Sequence, residues 1–335
     1  IGVFSEDLFS ADLVVSMPLF TGGRLISEMK AAELLARSAD HRLARTREEL
    51  VFDVSSVFYR ILALRRVVES QEFSREALQE HLKRIEDLIE AQKAANVDRL
   101  RTDVSIADIV QRLADTRILL SIQQRVLATL MCIEDREQSL RAQGELTSPV
   151  EDVPGAGESL AVALANRDDY LAAQAGLEAQ AKQVDAARAG HWPTVSAQAF
   201  YGGRWAAGVS DRPAGVDSSA DVGRAGIVVD VPVFEGGRID ARIRRERARL
   251  AAARQRLRGL ALRIQLDVET ALSNLKSARQ RVEATQKAIQ QAEESLRIER
   301  QKYELGKGSI TDVLDAQSAL LQTQTQYYRA LADYS

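Results

Sequence analysis

Met17-Pro18-Leu19-Phe20-Thr21-Gly22-Gly23-Arg24-Leu25 returns as Val231-Pro232-Val233-Phe234-Glu235-Gly236-Gly237-Arg238-Ile239, an offset of 214 residues. The repeat decides the fold because it marks the same junction twice: an alternating apolar segment runs into Pro and Phe, a Gly-Gly pair interrupts it, and a very long helical pattern follows. The offset persists inside that pattern, where Asp53-Val54 falls on Asp267-Val268 and Ile61 falls on Leu275. Farther on, a one-residue slip sets Asn96-Val97-Asp98-Arg99-Leu100 against Ser309-Ile310-Thr311-Asp312-Val313. The chain reads as two structural halves.

Upstream of each junction the period is two. Ala225, Ile227, Val229, Val231 and Val233 are apolar while Arg224, Gly226, Asp230 and Pro232 interleave, and Leu13, Val15, Met17 and Leu19 do the same in the first copy. A third run spans Pro193 to Tyr201, where Val195, Ala197, Ala199 and Tyr201 alternate with Thr194, Ser196 and Gln198. These are strands with one apolar and one polar face, of about ten residues, the length a tilted strand needs to cross a bilayer. Phe20, Trp192, Tyr201, Trp205 and Phe234 collect near their ends, as interfacial aromatics do. An ordinary sheet with one packed face fits the alternation equally well. The polar, turn-rich stretch Gly208 to Ser219 reads as a loop joining two strands. No run of 18 apolar residues exists, which excludes a membrane-spanning helix but leaves membrane strands open.

Downstream of each Gly-Gly pair the period becomes helical. From Ile239 there is no Gly except Gly259, and no Pro, until Gly306. Apolar positions at Leu257, Leu260, Ile264, Val268, Ala271, Leu275, Ala278, Val282, Thr285, Ile289, Ala292 and Leu296 step by three and four, which is coiled-coil spacing with one stutter. The rod from Arg238 to Leu305 is roughly 100 Å long at 1.5 Å per residue. Its first-half counterpart, Arg24 to about Ala95, carries a stripe through Val54, Val57, Ile61, Leu64 and Val68 and again through Leu78, Leu82, Ile85 and Ile89. Each rod ends in a short break and a return helix: Gly306-Lys307-Gly308 before a capping box at Ser309 and Asp312, and Ala94-Ala95 before Asn96 as N-cap. The organisation expected is a strand region over 1–24, a helical hairpin over 25–132, an irregular connection over 133–158, a helix over 159–190, a β-hairpin over 191–236 with its loop about 206–220, and a second helical hairpin over 237–335. Both ends of the sequence read as cuts within elements.

Composition agrees with extended helices: charged residues make up 28 % and aromatics 5 %. A formal net charge of −3 points away from nucleic acid. The single cysteine, Cys132, allows no internal disulfide and, within Leu130-Met131-Cys132-Ile133, reads as a buried inert thiol. His41, His81 and His191 lack metal spacing, no Ser/His/Asp set or carboxylate dyad stands out, and Gly306-Lys307-Gly308-Ser309 lacks the glycine and preceding strand of a phosphate loop. The sequence therefore offers no catalytic residues, no metal site and no cofactor site.

The duplicated strand, turn, rod, break and return helix resemble the TolC-like outer-membrane efflux channels over essentially the whole chain. The most specific pieces are PLFTGGR with VPVFEGGR, and YELGKGSITDVLDAQSALL from Tyr303 to Leu321. The resemblance implies a mainly α fold with transmembrane β: a homotrimer in which each protomer gives four strands to a shared twelve-stranded barrel and long antiparallel helical hairpins to a periplasmic α-barrel tunnel. By that template the chain lacks the first helix, most or all of the first strand and the end of the last helix. Pro18, Gly22, Gly23, Pro232, Gly236 and Gly237 become the strand-to-helix turns.

The implied function is a passive conduit of a tripartite efflux or type I secretion system, not an enzyme. It would export small molecules (drugs, metabolites, metals) or proteins across the outer membrane. Its partners would be itself, outer-membrane lipid, a periplasmic adaptor (membrane fusion) protein and an inner-membrane pump of RND, ABC or MFS type. In the family, polar and ionic contacts between neighbouring hairpins hold the periplasmic tip shut. The matching positions are Tyr303, Gly308, Asp312 and Asp315 on the second hairpin and Asp98 and Arg99 on the first. Gly308 stands where an Arg often sits, with Lys307 adjacent, and Arg99 occupies a position that can be acidic, so Arg99 is expected to pair with Asp312 or Asp315. Ten arginines against two acids between Arg238 and Arg263 could meet anionic head groups, bias tunnel permeation, or form a solvated face. The competing reading is a soluble periplasmic coiled-coil adaptor or interaction protein, which would have one hairpin and compact β domains.

Overall fold

The computed structural model describes residues 7–133, 142–146, 155–207 and 219–335, with backbone alone at 7, 8, 204–207, 219 and 220. In chain order the elements are β1 (Asp7–Phe20), α1 (Arg24–Glu90), α2 (Asn96–Leu130), α3 (Ala156–Asn166), α4 (Asp168–Arg188), β2 (Thr194–Ala207), β3 (Ser219–Asp230), α5 (Arg238–Glu304) and α6 (Ile310–Tyr334). The duplication is visible in the bounds. The helices α1 and α5 are both 67 residues long, and α1, α2, α5 and α6 all begin at positions related by the offset of 214. The expected one-residue slip is therefore absent, because the N-cap of α2 is Ala95, not Asn96, and Ala95 corresponds to Ser309.

Two compact units divide the chain. The first holds residues 1–43 and 166–262: the sheet, α4, and the starts of α1 and α5. Its sheet is antiparallel in the order β1-β2-β3. The register places Leu13 opposite Tyr201 and Tyr201 opposite Gly223, Val15 opposite Ala199 and Ala225, and Met17 opposite Ala197 and Ile227. Directly paired residues share a face, so the three alternating runs are in phase and their apolar sides merge into one surface. Strand β3 stops at Asp230, leaving Val231 and Val233 beyond it, since Pro232 has no N–H to continue the ladder. Pro18 lies on the edge strand β1 next to a register shift between Pro18 and Phe20, where a missing donor is tolerated. The segment 208–218 of the expected loop lies outside the described residues.

Helix α4 is joined to both rods. Ser38 Oγ donates to the Ala172 carbonyl at 2.8 Å and His41 meets Asp168 at 2.7 Å, while Gln180 Nε2 donates to the Glu246 carboxylate at 3.0 Å. A face of Ala172, Ala175 and Ala179 lets the helices approach closely. The helix expected over 159–190 is in fact two, interrupted at Arg167, which is extended (φ −68°, ψ 118°) and folds its guanidinium onto Asp169 at 2.7 Å. Asp168 and Asp169 in the first turn then favour a fresh helix start there.

The second unit holds 44–165 and 263–335: the remainders of both rods with α2, α6 and nearly all of α3. Its core is a series of small clusters along the rods. Ile85 of α1 packs with Leu296 of α5 and with Ile310, Val313, Ala316 and Leu320 of α6, while Leu78, Ile109 and Leu321 form the next layer. Each fully buried aliphatic side chain contributes about 1.5–3 kcal/mol. On α5 the apolar stripe passes through Leu272, not Ala271, which is exposed. Ala142 and Gly144 of the irregular connection sit against α1, where Arg65 donates to the Ala142 carbonyl and Gly144 faces the Phe58 ring. Residues 134–141 and 147–154 of that connection lie outside the described residues. Cys132 is exposed, contrary to the buried thiol expected. It occupies the left-handed position (φ 54°) that closes α2, with Cys132 N bonding Thr129 O and Ile133 N bonding Ala128 O, which turns its side chain out of the helix.

Candidate functional site

Two regions carry the chemistry, one in each unit. The first is the sheet. Phe9, Leu13, Val15 and Met17 of β1 and Ile227 and Val229 of β3 lie on the merged apolar face and are 54–69 % exposed. Among the described residues no element covers that face. Tyr201 on the same side is exposed, and Phe20, Trp192 and Phe234 are exposed at the end where the strands meet the helices. The backbone of Trp205 pairs with Phe9, and its side chain lies outside the described residues. From Val195 to Trp205 is about 33 Å of strand, or roughly 25 Å of height at a tilt near 40°, the height of a lipid-facing apolar band. Strand-to-rod turns at Gly22-Gly23 (φ 61° and 84°) and Gly236-Gly237 (φ 58° and 79°) close this end, in a backbone region open to glycine at little cost. Gly22 is also a close approach, since a Cβ there would stand 2.5 Å from Trp192 Cβ.

The second region is the pair of hairpin tips. Rod α5 ends in a Schellman turn: Lys307 N bonds Lys302 O at 2.8 Å, Gly306 N bonds Tyr303 O at 2.9 Å, and Gly306 has φ 69°. The α1 tip repeats it with Gln92 at φ 57°. Gly308 leaves no room for a side chain, because a Cβ would lie 2.9 Å from Lys302 Cβ. Ser309 and Asp312 form the expected capping box, with Ser309 N donating to Asp312 Oδ2 at 3.2 Å.

Sequence-predicted tip residues are only partly brought together. Tyr303 donates to Asp98 Oδ2 at 3.4 Å, which joins the two hairpins, and burial first and Asp98 second push the Tyr303 phenol up to about 12. Arg99 is half-buried, its Nε has no partner, and no ion pair joins it to Asp312 or Asp315 within the chain. Asp312 already serves the cap, while Lys307 and Asp315 are exposed.

Around them stands a polar network that sequence reasoning missed. Arg300 donates to Gln317 Oε1 at 2.8 Å and Gln317 donates to Ser74 Oγ at 2.9 Å. Arg84 pairs with Glu304 at 3.2 Å, and Arg101 donates to Thr311 at 2.7 Å. The His81 ring sits edge-on to Tyr303 at 5.4 Å, and its Nε2 is buried without a partner. Burial, then Arg300 and Arg84, hold the His81 pKa below its ordinary value. Its spacing from Leu78 and Ile85 put His81 on the apolar seam of α1, which was the available signal.

Comparison with known proteins agrees with this architecture. Residues 2–132 and 160–335 match the outer membrane efflux protein family. The chain is 23 % identical over 321 residues to the outer membrane efflux protein BepC of Brucella suis, covering 94 % of this chain and 67 % of BepC. It is 28 % identical to the pyoverdine export outer membrane protein OpmQ of Pseudomonas aeruginosa, covering 95 % of this chain and 65 % of OpmQ. Against the outer membrane protein TolC of Salmonella enteritidis it is 23 % identical, covering 55 % of this chain and 38 % of TolC, so the chain spans between about a third and two thirds of these relatives. The fold superposes on the outer membrane protein VceC of Vibrio cholerae with a TM-score of 0.77 at 19 % identity, over 97 % of this chain and 83 % of that one. With the CmeC outer membrane channel of Campylobacter jejuni the TM-score is 0.81 at 12 % identity, over 98 % and 75 %. The fold is thus that of TolC-like outer-membrane channels, and its location is the outer membrane. By its duplicated architecture and by this match, the chain belongs to the outer membrane efflux protein family.

Proposed function

We propose that three copies of the protein containing this chain assemble into a passive outer-membrane export channel, their strands closing one twelve-stranded barrel and their rods walling a periplasmic tunnel. The observation that supports it best is the in-phase apolar face of a sheet that, among the described residues, is uncovered and leaves the outer edges of β1 and β3 open. In hydrocarbon an open edge leaves backbone N–H and C=O groups unsatisfied at several kcal/mol each, so such a sheet must be completed by neighbours. The conduit is passive in this reading, and work would come from an inner-membrane pump of RND, ABC or MFS type coupled through a periplasmic adaptor. The setting is tripartite efflux or type I secretion, with small molecules or proteins as cargo. At the tips, Tyr303 and Asp98 latch the two hairpins of one protomer, while Arg99 pairs with Asp315 or Asp312 of a neighbouring protomer, with Lys307 beside them. Several partly exposed pairs of about 0.5–1 kcal/mol each make a latch that an adaptor can open.

The channel reading is preferred over a soluble adaptor because an adaptor needs one hairpin, whereas α1 and α5 are equal rods, each with a return helix. Fractionation of the full-length protein and its native mass in detergent test the reading. An outer-membrane protein of three times the protomer mass is expected. A water-soluble monomer would overturn it.

A further inference from the structure

Rod α5 carries four distinct faces along its first turns. Toward α4 runs a seam of Ile239, Ile243, Glu246, Leu250, Ala253, Leu257 and Leu260, spaced four and three, every member buried or half-buried. Two residues on, and so on the opposite side, lie Ala241, Arg245, Ala248, Ala252, Gln255, Gly259 and Leu262, all exposed, four of the seven being alanine or glycine. In the proposed channel a neighbouring helix lies over this second face, where the alanines and Gly259 leave room for close packing.

The two remaining flanks both carry arginine. Arg244, Arg247, Arg254 and Arg258 line one, and Arg242, Arg249 and Arg256, at intervals of seven, line the other. All are exposed, and among the described residues only Arg249 has an acidic partner, Glu246 at 3.0 Å. The two acids of this stretch do not offset the rest: Glu246 is buried in the seam, held by Gln180, Arg245 and Arg249, and Asp240 faces His191 at 3.3 Å.

We infer that the tunnel just inside the outer membrane is an anion-selective passage suited to carboxylate-, phosphate- or sulfonate-bearing cargo, because whichever free flank of α5 turns inward lines it with unneutralised guanidinium groups. The inference rests on the proposed channel, in which the rods stand side by side in a closed wall with one free flank inside and one outside. From Arg242 to Arg258 the charges extend over roughly 24 Å of tunnel. A narrow aqueous passage with low-dielectric walls focuses such a field and concentrates counter-ions. Screening reaches about 8 Å at 0.15 M salt and about 3 Å at 1 M, so the preference weakens as salt rises.

The experiment is reversal-potential measurement on the full-length protein in planar bilayers under a KCl gradient. Chloride should permeate at least about threefold better than potassium at low salt, an excess within the range of counter-ion enrichment by charged clefts. Neutralising the inward row, by R244Q/R247Q/R254Q/R258Q or by R242Q/R256Q, should bring the ratio toward one, while neutralising the other row leaves it unchanged. The matching lysine variants should keep the preference, which separates charge from packing. Open channels with a ratio of one or below, or a preference that survives both glutamine variants, would overturn the inference and leave the channel intact. Failure to conduct at all would remove the channel reading and this inference with it.

Discussion

Alanine at Gly22 is expected to cost far more than alanine at the three other turn glycines, although all four have positive φ. At Gly23, Gly236 and Gly237 an added Cβ meets nothing within 4 Å, so the penalty is the left-handed backbone alone, about 1–2 kcal/mol. At Gly22 (φ 61°) the same backbone cost applies, and the new Cβ also falls 2.5 Å from Trp192 Cβ and 3.0 Å from the Ala189 carbonyl. Those are atoms next to or within backbone, with no flexible end to swing away, so about 1–3 kcal/mol of overpacking is added. The expected totals are about 1–2 kcal/mol for G23A, G236A and G237A and about 2–5 kcal/mol for G22A. Urea unfolding in detergent, followed by tryptophan fluorescence, measures the difference, and a cycle with Trp192→Gly, which removes the clashing Cβ itself, should recover part of the excess. A G22A penalty equal to that of G236A, its counterpart in the repeat, would refute the close contact.

Three further outcomes are expected. His81 has a folded pKa below 6.5, so the unfolded chain takes up that proton first: stability is flat above about pH 6.5, declines as pH falls below it, and levels once the folded pKa is passed. His81→Phe, which keeps the ring against Tyr303, should abolish that decline, and an unchanged slope in unfolding free energy between pH 7 and 5 would contradict the assignment. Asp315→Asn should raise resting single-channel conductance by removing a tip carboxylate outside any cap, whereas Asp312→Ala also forfeits about 0.5–2 kcal/mol of capping; no rise in either variant means the constriction is not at these residues. Gln92→Gly should stabilise the first tip by about 0.5–1 kcal/mol, since the left-handed C′ position there costs any side chain, and a lower thermal midpoint would refute it.

The proposed anion path also ranks cargo. Multiply charged anions should block or permeate at lower concentration than monovalent ones, because each added charge interacts with the same arginine rows.

What the sequence by itself determined is everything set by neighbours a few positions away. Paired glycines forced the same turn twice, the three-four spacing made two rods, alternation made the strands, and Ser309 with Asp312 announced a cap that is present. Only the tertiary structure decided what depends on segments meeting at a distance. The phase of the three strands turns individually ambiguous runs into one uncovered apolar face. Ser74 and Gln317, 243 residues apart, share a buried hydrogen bond, and Tyr303 finds Asp98 at a separation of 205. Asp312 proved committed to its own helix, Arg99 met neither carboxylate within the chain, and Cys132 surfaced because the turn ending α2 reverses its direction. Local backbone sterics and periodicity are written residue by residue. The identity of a contact partner is a property of two surfaces and exists only once both have been brought together.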